Sequence, residues 1–166
     1  PRPVAAGPAE LPDFELLAEI GRGGFGSVWI AKHRHTGDAV AIKFIPPRSR
    51  ETELKGLQML RQRVREGQDH LVWSEYIGEA GDFIYCVMDL ADNVVEGPLF
   101  PDRYEALTLF KYLKQRGRLD VADAQVVVLS MARGLAFLQA AGLRHGDVKP
   151  ANVLRVRGRW KLADYG

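Results

Sequence analysis

A single cysteine in 166 residues leaves Cys86 without a partner in the chain. No internal disulfide forms, so the sequence fits a reducing compartment and the cytoplasm is the expected location. Cys86 lies inside the apolar run Phe83 to Met88, which reads as core rather than as a nucleophile. Neither sign of charge is in excess: 23 Lys and Arg stand against 21 Asp and Glu. The clustered basic surplus of a nucleic-acid-binding protein is therefore missing. Long hydrophobic runs are also missing. The longest, Val126 to Leu143, is interrupted by Arg133 and Gln139, so no membrane span is expected. Nor does the start read as a signal peptide; residues 1–12 are a Pro/Ala/Gly-rich linker, and both ends look cut from something longer.

What is present is enough apolar residue, 46%, for a sizeable core. Short alternating runs predict strands over Phe14–Ile20, Ser27–Lys32 and Ala39–Ile45, with a turn at His35 to Asp38 and a stop at Pro46-Pro47. Leu54, Leu57 and Leu60 give helical spacing over Arg50–Arg65. Two further strands, Leu71–Ile77 and Phe83–Leu90, flank a glycine-rich turn. After a loop over Ala91–Arg103 the chain reads as helical, at Glu105–Gln115 and Val121–Ala141. The second helix is apolar nearly all round, which predicts burial on several sides, and Gly142 ends it. Strands at Val153–Val156 and Trp160–Ala163 close the sequence.

Five segments carry chemistry. The glycine cluster Gly21-Arg22-Gly23-Gly24-Phe25-Gly26 is followed by a β-type run rather than a helix. A dinucleotide fingerprint needs the helix, so the glycines read either as a flexible turn or as a hairpin whose backbone N–H groups approach phosphates. Lys43 is flanked by apolar residues in the third strand, where a partly desolvated ammonium seeks an anion. Glu53, with Leu57 one turn on, is its expected partner; Glu51 is the competing choice. The loop His145 to Asn152 brings Asp147, a proton acceptor, Lys149, a phosphate counter-charge, and Asn152, an oxygen ligand for Mg²⁺, into eight residues. Asp164, before Tyr165-Gly166, offers a second metal ligand.

Taken in order, the glycine loop, Val40-Ala41-Ile42-Lys43, Glu53, the 145–152 loop and Asp164-Tyr165-Gly166 resemble a protein kinase from Phe14 to Gly166. The likeness is to eukaryotic-like serine/threonine kinases of the bacterial type, truncated after the Asp-Tyr-Gly motif. It implies an α+β, two-lobed kinase-like fold. Residues 13–90 would form an N-lobe, a five-stranded antiparallel sheet with one helix, and residues 91–166 an incomplete helical C-lobe. It further implies ATP and Mg²⁺ as cosubstrate and cofactor, and a protein substrate. Gly21, Gly23, Gly24, Phe25 and Gly26 would cover the phosphates. Lys43, held by Glu53, would contact the α- and β-phosphates. Val28, Ala41 and Leu154 would sandwich the adenine, with Met88 as gatekeeper and Asp89-Leu90-Ala91 as hinge. Asp147 and Lys149 would serve the transfer, and Asn152 and Asp164 the metal. Three departures stand out: Gly146 replaces the usual Arg, Tyr165 the usual Phe, and Lys43 to Glu53 is a short spacing. The missing Arg predicts no phosphorylation-gated loop. The alternatives are a small-molecule phosphotransferase of kinase-like fold, because such enzymes also use His-Gly-Asp, and a non-catalytic ATP-binding or scaffold module. The 166 residues alone are expected to be inactive.

Overall fold

The structure, a computed structural model, describes residues 9–23, 26–47 and 69–165. They form two compact units. The first holds the described residues up to 47, together with Ser74–Leu90 and Val95–Glu105. The second holds 69–73, Ala91–Val94 and everything from Ala106 onward. The helix expected over Arg50–Arg65, and with it Glu53, lies outside the described residues, as do Gly24 and Phe25.

The first unit is a five-stranded antiparallel sheet in the order β1-β2-β3-β5-β4. Its strands are β1 (Phe14–Gly23), β2 (Gly26–His33), β3 (Ala39–Ile45), β4 (Ser74–Ala80) and β5 (Phe83–Asp89). The β2–β3 turn closes with Gly37 at φ +79°, a conformation glycine adopts without steric cost. Because side chains alternate along a strand, register divides the sheet into two faces. One face collects Trp29, Ala31, Ile42, Phe44, Tyr85 and Val87, and Leu11 and Phe14 pack against it as one core. The expected strand Leu71–Ile77 begins later, at Ser74. Leu71 instead makes a single parallel bridge to Leu162 in the second unit, fully buried there.

The second unit contains α1 (Leu109–Arg116), α2 (Val121–Ala140) and the hairpin β6 (Val153–Val156)–β7 (Arg159–Leu162). The helix predicted from Glu105 starts only at Leu109, because Thr108 is its N-cap and accepts from the Lys111 amide at 3.1 Å. Asp120 caps α2 in the same way, accepting from the Asp123 amide at 2.7 Å. At the other end Gly142, at φ +77°, donates to Gln139, and Leu143 donates back to Leu138. That pair of bonds is a Schellman stop.

The expectation that α2 is buried on several sides is corrected. Only Val127, Ser130, Gly134 and Leu138 are buried, one face that packs on Leu71, Trp160 and Leu162. Val121, Val126, Val128 and Leu129 are exposed. Apolarity all round told of the composition of the helix, not of how many neighbours it would find. Gly134 explains the closeness on the buried side, since a Cβ there would meet the His70 carbonyl oxygen at 3.1 Å. Among the described residues α2 is also the one helix long and apolar enough to cross a membrane by length and composition. One face of it packs into the core of this unit.

Candidate active site

In the first unit the glycines sit between two strands. Gly21 pairs with Val28, Arg22 with Ser27 and Gly23 with Gly26. A hairpin, not a helix, follows the cluster, and this excludes the dinucleotide reading. Of the cluster's described glycines, Gly21, Gly23 and Gly26, only Gly26 requires its lack of a side chain sterically. Its φ is +129°, and a Cβ would lie 1.8 Å from the Phe44 carbonyl oxygen. Around Gly23 nothing lies within 4 Å of such an atom.

The sheet register then gathers the residues expected at a nucleotide. Val28 pairs with Lys43 and Ile30 with Ala41 across β2–β3. Lys43 pairs with Cys86 and Ala41 with Met88 across β3–β5. Directly paired residues share a face, so Val28, Ala41, Lys43 and Met88 lie together on the face opposite the Trp29–Phe44 core. Lys43 is half-buried there, and Cys86 is buried beside it as a core residue. Asp89 ends β5, paired with Val40; Ala91, buried, belongs to the second unit.

In the second unit the loop after α2 builds a cluster around Asp147. Gly146 takes φ +76°, a left-handed position that glycine fills without strain. Asp147 Oδ2 accepts from Lys149 Nζ at 2.5 Å and from Asn152 Nδ2 at 3.0 Å. Asn152 Nδ2 also donates to the Asp147 carbonyl at 2.9 Å. The Lys149 ammonium, more than any other group, holds the Asp147 carboxyl below the usual range; desolvation opposes this and the Asn152 amide supports it. With both donor contacts spent on Asp147, the Asn152 amide is fixed with its Oδ1 available as an oxygen ligand.

His145 anchors this cluster from below. It is buried, Nδ1 accepts from the Asp147 amide at 3.3 Å, and Nε2 donates to the Ala163 carbonyl at 2.8 Å. One tautomer, with the proton on Nε2, satisfies both bonds. The Ala163 amide in turn donates to the Asn152 carbonyl at 2.8 Å. The two segments bearing Asn152 and Asp164 are thus tied backbone to backbone. Asp164 is exposed and sits at φ +56°, a left-handed conformation unusual for any residue but glycine, and such outliers gather at functional sites. Tyr165 holds the far end, its hydroxyl donating to the Val72 carbonyl at 2.5 Å.

The donor set suits Mg²⁺. Among the described residues no three His, Cys, Asp or Glu side chains cluster into a protein-only metal cage. Mg²⁺ does not need one, since it takes one or two protein oxygens together with water and phosphate. Asn152 and Asp164 each carry a side-chain oxygen of that kind.

Sequence reasoning missed the struts. Asp92 accepts from the amides of Arg157 and Gly158 at 2.8 and 2.9 Å and so fixes the β6–β7 turn, where Arg157 is at φ +49°. Leu154, the expected adenine contact, is on β6 and bridges to Thr108. The ties of Asp92, His145 and Tyr165 span 18 to 93 positions of sequence, and no local pattern signals partners that distant.

Residues 14–166 match the family model described as protein kinase domain. The chain is similar to Cyclin-dependent kinase 9 of Danio rerio, 31% identical over 170 residues covering 95% of this chain and 42% of that protein. It is similar also to the probable serine/threonine protein kinase IRE4 of Arabidopsis thaliana, 30% identical over 161 residues, 94% of this chain and 14% of that one. Serine/threonine-protein kinase ppk31 of Schizosaccharomyces pombe is 29% identical over 164 residues, 96% and 15% respectively. The chain therefore spans less than half the length of these relatives. They single out no bacterial subtype.

Proposed function

The chain belongs to the protein kinase family, and from that premise we propose that it carries the nucleotide-binding and transfer machinery of a serine/threonine kinase, moving the γ-phosphoryl group of ATP to a protein hydroxyl with the help of Mg²⁺. The observation that carries this is the Asp147 carboxylate, pinned by Lys149 and Asn152 on a loop anchored through buried His145.

Held below the usual carboxylate range, Asp147 stays ionised at neutral pH and is a weak base. Its task is first to orient the acceptor hydroxyl. It takes the proton as the new oxygen–phosphorus bond forms and the bond to the departing ADP oxygen breaks. Lys149 sits beside that carboxylate and adds positive charge for the transferring phosphoryl group. Lys43, half-buried among apolar neighbours, would meet the α- and β-phosphates. The glycine hairpin would cover the phosphates, and Val28, Ala41, Leu154, Met88 and Asp89 to Ala91 would hold the base. Asn152 Oδ1 and the Asp164 carboxylate would hold Mg²⁺, which when bound neutralises phosphate charge.

Lys149, two positions after Asp147, favours serine/threonine protein acceptors over small molecules and over tyrosine. Retention of Lys43, Asp147 and Asp164 together argues against a purely scaffolding role. For the 166 residues alone little transfer is expected. Val121 at 76% and Val128 at 65% exposure leave an apolar stripe on α2 that favours self-association over a well-ordered monomer.

The test is phosphate transfer by the intact protein, with protein and small-molecule acceptors side by side. Asp147→Asn should lower kcat by about 10²–10⁴ if the carboxylate acts on the acceptor proton. An unchanged turnover removes Asp147 from the mechanism. Faster transfer to aminoglycoside or choline than to any protein favours the small-molecule reading.

A further inference from the structure

Tyr165 stands where Phe is usual, and the two differ by one hydroxyl. The transfer chemistry has no use for that group, yet it is not left to solvent. It donates to the Val72 carbonyl, 93 positions away, at 2.5 Å. The ring does what a Phe ring would do. It is half-buried against the core of the second unit and meets His145 at 6.4 Å between ring centroids.

The acceptor lies on a segment already bonded to β7. Leu162 donates to the His70 carbonyl at 2.9 Å, and Val72 donates to the Leu162 carbonyl at 2.8 Å. β7 ends at Leu162, and the Tyr165 hydroxyl then adds a further bond to the same segment from a side chain. Val72 is buried, so water is a poor substitute for that donor. Between the two attachments sits Asp164, at φ +56°. A non-glycine residue keeps this left-handed conformation only where the chain around it is held. Upstream, Ala163 is held through both backbone groups. Its amide donates to the Asn152 carbonyl and its carbonyl accepts from His145 Nε2, each at 2.8 Å. Downstream, the Tyr165 hydroxyl supplies the hold.

We propose that the Tyr165 hydroxyl is a positioning group for the metal: it keeps the Asp164 backbone in one conformation before the cation arrives, so that Mg²⁺ half-saturates the site at a lower concentration than it would with Phe. The inference rests on the reading of Asp164 as a Mg²⁺ ligand. A cation that meets a conformation already formed does not spend affinity on forming it.

The test is Tyr165→Phe in the intact protein, which removes the hydroxyl and keeps the ring. Tyr85→Phe is the control, because it deletes a hydroxyl bonded to Tyr76 on the sheet face opposite Lys43. Hydrogen exchange read by mass spectrometry, without metal or nucleotide, should quicken across residues 163–165 by roughly threefold to tenfold in Tyr165→Phe, the weight of one hydrogen bond. Titration of Mg²⁺ in the presence of a fluorescent ATP analogue should show the midpoint raised by the same factor. At saturating Mg²⁺, kcat should stay within about twofold, which a general loss of structure would not allow. Tyr85→Phe should move neither the exchange nor the midpoint. Unchanged exchange across 163–165 overturns the proposal, and so does faster exchange with an unmoved Mg²⁺ midpoint or an equal midpoint shift in Tyr85→Phe. Failure of the underlying reading looks different: the unaltered protein then binds no Mg²⁺ with nucleotide, and the proposal goes with it.

Discussion

Gly26→Ala is the sharpest test of how the glycine hairpin is built. The added Cβ would lie 1.8 Å from the Phe44 carbonyl oxygen, 3.0 Å from its carbon and 3.3 Å from Pro46 Cδ, on a backbone at φ +129°. Phe44 is fully buried on β3 and cannot yield alone. Holding alanine in that conformation costs about 1–3 kcal/mol. Relieving the overlap by shifting backbone adds about 1–3 kcal/mol, the usual toll of overpacking. A total near ~4 kcal/mol, at ~2–4 °C per kcal/mol for a domain of this size, lowers Tm by roughly 8–16 °C. Because Phe44 follows Lys43, the displacement also moves the strand that bears the ammonium, so nucleotide affinity should fall. Gly23→Ala is the internal control: the motif is the same, but no atom lies within 4 Å of the new methyl group and φ is not positive. Differential scanning fluorimetry of both variants of the intact protein, followed by titration with a fluorescent ATP analogue, gives the comparison. Equal melting temperatures for the two variants would refute the reasoning, since they would mean that the Gly26 backbone is not where the structure puts it.

Three other perturbations have definite signs. Lys149 is the largest cause of the low Asp147 pKa, so Lys149→Ala should move the acid limb of the kcat–pH profile upward, toward the ordinary carboxylate range; an unmoved limb would show that another group sets it. Burial, and after it the Tyr76 hydroxyl, raises Tyr85 to about 12 from 10.0. The folded state then keeps a proton that the unfolded state has released, so stability present below pH 10 is lost as pH rises toward about 12. Melting curves at alkaline pH should show this decline, and Tyr85→Phe should flatten it. Gly146 gives the 145–152 loop no guanidinium for a phosphorylated segment, so preventing phosphorylation of the parent's activation segment should leave kcat within about twofold, against the 10²-fold or larger losses of a true switch; a collapse of activity would overturn the inference.

Much of the site was legible in residue order because its chemistry is local. Asp147, Lys149 and Asn152 fall within six positions, and a loop that short can bring three side chains together by itself. The hairpin was legible for a similar reason, as a β-type run followed the glycines where a helix would have been needed for the rival reading. The alternation of β2 and β3 also foretold a strand pair. It could not say which residues would face one another; Lys43 beside Val28 and Cys86 is a matter of register. Where prediction slipped at β4, a distant partner had intervened. Leu71 looked like the start of β4 by its apolar neighbours but was claimed by Leu162. The other slip was local: Glu105 looked helical, but Thr108, three residues on, caps the helix.

Short-range pattern thus determined the strand-rich first half, the order of motifs carried the family resemblance that the kinase-domain model bears out, and Asp147, Lys149 and Asn152 meet because they lie a few positions apart. Tertiary structure alone decided that His145 would be buried under Asp147 and tied to Ala163, that Asp92 would hold the β6–β7 turn, and which face of α2 would pack on Leu71, Trp160 and Leu162. Those outcomes depend on groups far apart in the chain meeting at hydrogen-bond range. Hydrophobicity in a sequence records how much apolar surface seeks cover; only packing settles which surface finds it.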